Sequence, residues 1–443
     1  MNTTNQLNKL TAQFIYNYRD SVSKYCNLSM INHKTISRSK KILKNLYEDI
    51  ADAYYDTKND KPIGSPKKLI LKKSSETIKT FFNFDYLSTD VKKFIVKKIQ
   101  DKQAYLLSYN FEILETRYQI NFAYFEKDAK IQKIIKSAKM KKQLRDLKTI
   151  IRFLKKHSDF EQDSLELNIF MTPVEKKLCS PSETIGKNNV NTGVTYACSK
   201  NGIIYIYREE EWFKTVIHEM IHSVCIDFSM SNSLQKLQEK TREIFPINSD
   251  FILSETYCDF WAIIITSLYK AFHYINIPYD LTLKYAKNKK QILNKRFEEF
   301  YEAFECFYYI ESYWTILQSI KILDNMDLNY TDLFKTSSDT RLMRNKIYKE
   351  DSNVFAYYIM KSILMFFGHE FIIGNLRSNK EIIFFPNEDD NLVVFYKFIH
   401  NYYNNKKLLQ AYNDIKRDFY DRKHKLNLRK IHSTMRMTIM ELK

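Results

Sequence analysis

Residues 191–222 read NTGVTYACSKNGIIYIYREEEWFKTVIHEMIH, and within this stretch the hydrophobic period changes once. Residues 193–198 and 203–207 are β-rich runs joined by residues 199–202, which contain the pair Asn201-Gly202; this pattern predicts a hairpin. From Arg208 the period becomes helical, with Trp212, Phe213, Val216, Ile217, Met220, Ile221, Val224 and Cys225 tracing one broad apolar face. Just upstream, LELNIFMTPVEKKL begins at Leu165 as a strand and breaks at Thr172-Pro173. Three of the chain's six glycines, Gly186, Gly193 and Gly202, fall in this neighbourhood, which marks tight backbone geometry. A strand, a hairpin and a helix in this order predict a small sheet with one helix packed on it.

Around that centre the chain reads as helical. Residues 5–25, 39–55 and 86–105 carry apolar residues at three- and four-residue spacing, and a loop marked by Pro62, Gly64 and Pro66 separates the second from the third. Residues 127–156 hold 12 Lys or Arg and two acids, interleaved with isoleucines and leucines, which predicts an amphipathic basic helix or helix pair. After Asp227 apolar helical segments recur near residues 256–274, 296–323, 353–367 and 392–403, and residues 404–443 form a basic helix or tail. No period repeats along the chain. The expected fold is α+β and predominantly helical: a helical N-terminal region over 1–160, a core with a small mixed sheet over 161–270, and a helical C-terminal subdomain with a basic tail over 271–443.

With 443 residues, 44% hydrophobic and 28% charged, the composition is that of a globular protein and excludes a disordered chain. Only 6 Gly and 7 Pro argue against a turn-dense all-β fold. Six scattered cysteines without a CxxC pair suggest neither a disulfide framework nor a zinc knuckle. The first residues lack the basic and apolar regions of a secretory signal, and the longest apolar stretch, residues 260–269, is about half of what a membrane span needs. These features lead to the expectation of a reduced, non-secreted, intracellular protein without a transmembrane anchor. The net charge of +18 has two readings. It reflects AT-rich coding, which favours Lys, Asn, Ile, Tyr and Phe, or it serves an acidic surface or nucleic acid through the basic segments.

The residues that carry chemistry are His218, Glu219 and His222 of HEMIH. Two histidines four apart lie about 40° apart around a helix and one turn up, so both imidazoles reach one metal ion. Zinc suits neutral imidazole and lowers the pKa of a bound water towards 7, and Glu219, slightly off that face, stands as the general base that takes its proton. A catalytic zinc needs a third protein ligand. The metzincin pattern would want a Gly three residues after His222 and a ligand six after it; those positions hold Cys225 and Phe228, with Asp227 one residue early. Further on, LSETYCDFWA supplies Glu255 and, four residues later on the same helix face, Asp259. Glu239 and Glu243 are rivals without a paired Asp.

This combination of HExxH followed by ExxxD resembles the gluzincin group of metallopeptidases, the thermolysin-like arrangement. The resemblance implies a zincin-like core, one zinc ion per chain, Glu255 as third ligand, and Asp259 as the carboxylate that orients His218 through its other ring nitrogen. A wider run, TPVEKK, then NTGVTY, then IIYIYREEEWFKTVIHEMIH, then DFS, is similar to zincin-type proteins of giant nucleocytoplasmic DNA viruses. That likeness covers residues 165–262 and implies a viral protein of the host cytoplasm or the virion.

In zincins an edge strand beside the cleft pairs with the extended substrate, and Asn191, Thr192 and Gly193 lie on the candidate strand. Related enzymes donate to the developing oxyanion from the C-terminal subdomain; Tyr357, Tyr358 and His369 are candidates, with Arg341 and Arg344 as cationic alternatives. No phosphate-binding or dinucleotide glycine pattern occurs. The expected function is zinc-dependent peptide hydrolysis with Glu219 as base. The alternative is a catalytically silent zincin-fold scaffold or virion protein that binds nucleic acid or protein partners through its basic surface.

Overall fold

The computed structural model describes residues 7–29, 33–60, 62–275, 289–378 and 389–441. The chain divides into two compact units, one built of residues 1–45, 176–190 and 230–443, the other of residues 46–175 and 191–229. In chain order the elements are α1 (Lys9–Ser29), α2 (His33–Asp56), β1 (Lys67–Ile70), α3 (Glu76–Phe82), α4 (Thr89–Gln100), β2 (Tyr105–Ile113), β3 (Thr116–Tyr124), α5 (Asp128–Ile135), α6 (Ala138–Lys156) and β4 (Ser164–Phe170). They continue with α7 (Lys187–Val190), β5 (Gly193–Thr195), β6 (Asn201–Ile206), α8 (Trp212–Ser223), α9 (Leu234–Ile244) and α10 (Leu253–Tyr274). Later helices are named by residue.

The unit of residues 46–175 and 191–229 is organised by a six-stranded mixed sheet in the order β1-β2-β3-β4-β6-β5. The two central pairings, β3 with β4 and β4 with β6, are parallel, and the outer ones are antiparallel. The fold is therefore α+β with a small mixed sheet. Its strands begin well before residue 161, however, so the N-terminal region is not purely helical as expected. Strands β2 and β3 form a hairpin whose two turn residues, Leu114 (φ 48) and Glu115 (φ 63), occupy the left-handed region. Such turns ordinarily announce themselves by Asn-Gly or Asp-Gly; here neither residue gives that signal. Residues 105–109 of β2 are moreover buried on both faces, which blurs the alternation that marks a half-exposed strand.

In register across the sheet, Leu107, Phe122, Ile169 and Ile206 form one buried row. They share a face with α8, where Trp212 lies edge-on to Phe122. On the opposite face α3 and α4 seal a second cluster, in which Phe81 stacks on Phe170 and Tyr205 at 4.6 and 5.1 Å between centroids. Burying each such ring contributes about 1.5–3 kcal/mol. The expected basic helix pair is present as α5 and α6, and several of its cations are spent on acids inside the unit. Lys130 meets Glu126, Lys142 meets Asp146, and Arg152 and Lys148 both meet Asp60.

The other unit is helical throughout its larger elements. Nearly all of α10 is buried, and it packs against the long helix Lys289–Asn325 and a π-helical segment, Phe355–Met360. The C-terminal stretch is not a tail. Met435, Met437, Ile439 and Met440 are buried, and the carboxylate of Glu311 accepts from the backbone N–H groups of Met440 (2.8 Å) and Ile439 (3.2 Å). Four apolar side chains in six residues outweigh the basic composition of the segment before them. Among the described residues no helix is long and apolar enough to cross a membrane.

Candidate metal centre

Helix α8 carries HEMIH and is buried along every residue from Lys214 to Ser223. The rings of His218 and His222 stand 5.0 Å apart between centroids, as four-residue helical spacing requires. Both imidazoles and the Glu219 carboxyl are 5–7% exposed. The helix ends in a Schellman motif: Cys225 takes a left-handed conformation (φ 55), its N–H donates to the carbonyl of His222, and the N–H of Ile226 reaches the carbonyl of Ile221. That turn folds the chain back beside the helix. Asp227, 2% exposed, thereby meets His222, with its Oδ2 2.9 Å from Nδ1. Ser229 donates to the same carboxylate through its N–H (3.3 Å) and its hydroxyl (3.1 Å).

The edge strand β5 lies against this helix. A Cβ on Gly193 would fall 2.7 Å from Oε1 of Glu219 and 2.8 Å from Cγ2 of Thr215. Glycine is thus what lets the strand pass so close to the candidate base. The strand is antiparallel to β6, with Gly193 opposite Ile206. Its approach is anchored by Arg208, fully buried, which donates to the carbonyls of Asn191 (3.0 Å) and Val174 (2.8 Å); Thr192 accepts from the N–H of Tyr207. Burial holds the Tyr207 phenol above its ordinary pKa, Arg208 opposes this, and the charge of Glu219 adds to it.

A disulfide joins Cys198, in the turn that follows β5, to Cys225, with Cα atoms 4.9 Å apart. The sequence suggested no cysteine pairing; the structure corrects that. The two cysteines are 27 residues apart, and only the folding of the hairpin onto α8 brings them together. Cys198 is also left-handed (φ 53), and its N–H donates to the same His222 carbonyl at 3.1 Å.

Glu255 and Asp259 belong to the other unit. Glu255 lies half-buried in the first turn of α10, where the helix dipole favours a carboxylate. The N–H of Ile252, just before the helix, is held by Oδ1 of Asn353 at 3.1 Å. The hydroxyl of Tyr357 donates to Oε2 of Glu255 at 3.0 Å. One turn on, the fully buried Asp259 is paired with the buried ammonium of Lys361. The π-helical segment and the α-helical residue that follows it therefore present Tyr357 and Lys361 to Glu255 and Asp259, four residues apart on each side.

This separates the remaining candidates. Tyr358 spends its hydroxyl on the carbonyl of Met435 at 2.7 Å. His369 is buried between Ser39 (Nδ1 to Oγ, 2.7 Å) and Glu305 (Nε2 to Oε1, 3.3 Å). Arg344 donates to the carbonyls of Pro246, Asp332 and Lys335, whereas Arg341 is exposed. Glu239 and Glu243 are exposed on α9. Of the oxyanion candidates, Tyr357 is found on one of the expected site carboxylates.

Sequence reasoning missed Asp227, Arg208 and Lys361 as parts of this picture. Asp227 had a signal, an acid in the turn just past HExxH, but it weighed only against the metzincin spacing. Arg208 and Lys361 had none, because a cation in an apolar run reads equally well as surface. The donor set on α8 suits zinc: a neutral imidazole whose Nδ1–H is held by a carboxylate offers Nε2 as the ligand nitrogen. In comparisons with known proteins, no family model, curated protein or solved structure matches this chain.

Proposed function

We propose that the protein is a zinc-dependent peptidase of gluzincin type, with one zinc ion per chain held by His218, His222 and Glu255. The reading is supported above all by the closeness of Gly193 to Glu219. An extended substrate added to the outer edge of β5 would run past the carboxylate that lies between the two histidines in sequence.

Zinc, when held, supplies a Lewis acid that brings the pKa of a coordinated water towards 7. The protein's own groups do the rest. The Glu219 carboxylate takes the proton from the attacking water and returns it to the leaving amine. Backbone groups of β5 hold the scissile peptide extended. The Tyr357 hydroxyl, which gives its one proton to Glu255 in the resting protein, turns that proton from the carboxylate to the oxygen that gains charge.

The test compares wild type with Glu219→Gln and Glu255→Ala for zinc content and for cleavage of a denatured protein or peptide library, with and without chelator. Glu219→Gln is expected to keep its zinc and fold and lose about 10²–10⁴-fold in turnover. Glu255→Ala is expected to lose zinc. Full turnover in the first variant refutes the general-base role; undiminished zinc in the second refutes the ligand assignment.

A further inference from the structure

Asp227 sits five residues after His222. On an uninterrupted helix that spacing would place it about 140° round the axis from His222, out of reach of its ring. The contact exists because α8 stops at Val224 and the left-handed turn at Cys225 brings the chain back along the helix. The carboxylate is then fixed from both sides. Its Oδ2 faces Nδ1 of His222 at 2.9 Å, and Ser229 donates to both of its oxygens.

We infer that Asp227 is the positioning residue for His222, accepting Nδ1–H so that Nε2 carries the lone pair directed at the metal. This rests on the zinc reading of α8 given above. A neutral imidazole has one ring proton. With a carboxylate 2.9 Å from Nδ1, the tautomer protonated at Nδ1 is favoured, and Nε2 is left as a ligand of raised basicity. The ring is also held against rotation about its χ2 bond, which is otherwise soft. The contact comes from the turn that closes α8, within the same unit. The role of Asp227 is therefore a property of this chain's own local sequence, CIDFS, in which Cys225 makes the turn, Asp227 accepts from the ring and Ser229 holds Asp227.

The experiment measures metal affinity rather than turnover. Chelator-treated wild type, Asp227→Ala and Asp227→Asn are titrated with Co2+, followed by visible absorption, and with Zn2+ against a chromophoric chelator; the melting of each apo-protein is recorded alongside. Asp227→Ala is expected to bind about 10–100-fold more weakly and to show an altered Co2+ spectrum. Asp227→Asn, whose amide oxygen still accepts but more weakly, should fall between it and wild type. If Asp227→Ala does not fold, Asp227→Asn carries the test. Unchanged affinity and spectrum in the folded variants overturn the inference, and so does a lowered apo-protein melting point with unchanged affinity, which would assign Asp227 to the turn alone. If wild type itself takes up neither metal, the zinc reading fails and the inference falls with it; if wild type binds and the variants bind equally, only the role of Asp227 falls.

Discussion

Replacing Cys198 with Ser opens a cross-link that spans 27 residues, from the hairpin to the turn that closes α8. In the chain-entropy treatment, closing a loop of this length in the unfolded chain stabilises the native state by about 3.5 kcal/mol at 25 °C. A unit the size of that formed by residues 46–175 and 191–229 loses roughly 2–4 °C of melting temperature per kcal/mol. The variant should therefore melt about 7–14 °C lower, and dithiothreitol should lower wild type by a similar amount while leaving the variant unmoved. Calorimetry under non-reducing conditions reads the shift. A thiol titration reads the bond itself: denatured, unreduced protein should expose four thiols, those of Cys26, Cys179, Cys258 and Cys306, and full reduction should bring the rest. Six thiols without reductant, or identical melting with and without it, would refute the reasoning. Because both cysteine N–H groups donate to the His222 carbonyl, loss of the cross-link should also raise amide exchange at Cys198 before it does so at residues of mid-α8.

Two further outcomes bear on the carboxylates of α10. Asp259→Ala leaves the buried Lys361 ammonium without its carboxylate and should destabilise by about 3–5 kcal/mol, measured by urea unfolding; the double change Asp259→Leu with Lys361→Met should recover most of that, and equal losses in both would show that the pair is not what matters. Tyr357→Phe should lower kcat by about 10²–10³-fold with zinc content intact, whereas Tyr358→Phe should leave kcat unchanged and cost about 1 kcal/mol of stability. The reverse ranking in a peptidase assay would exchange the two residues' roles.

The features legible in the sequence are those governed by local rules. The β5–β6 hairpin shows in its two β-rich runs, although Asn201 and Gly202 open β6 rather than form the turn; α8 shows in its 3.6-residue period, and the basic helix pair in its alternation of lysines with isoleucines and leucines. The β2–β3 hairpin stayed hidden because Leu114 and Glu115 adopt a turn that other residue types normally announce, and because both faces of β2 are buried. At the candidate site, His218, Glu219 and His222 follow from one motif on one helix. Asp227 and Cys225 depend on how the helix ends, and Cys198 on how a hairpin docks; those are tertiary outcomes with no periodic trace. The C-terminal segment misled for a related reason: average charge over forty residues conceals four that are apolar at alternate or adjacent positions and find a core.

The π-helical turn at Phe355–Met360 has a consequence for how this protein can change. The π turn opens this helix and runs straight on into the α-helical residues from Lys361. Four residues advance about 400° around an α-helix and less where the turn is the wider π one, so the π geometry sets the angle between Tyr357 and Lys361. Those two side chains reach Glu255 and Asp259. Individual side chains along this segment can be exchanged while the contacts survive, but tightening its turn would swing the two partners apart. At this point the alignment of the two carboxylates is encoded in the pitch of the backbone rather than in the kind of residue.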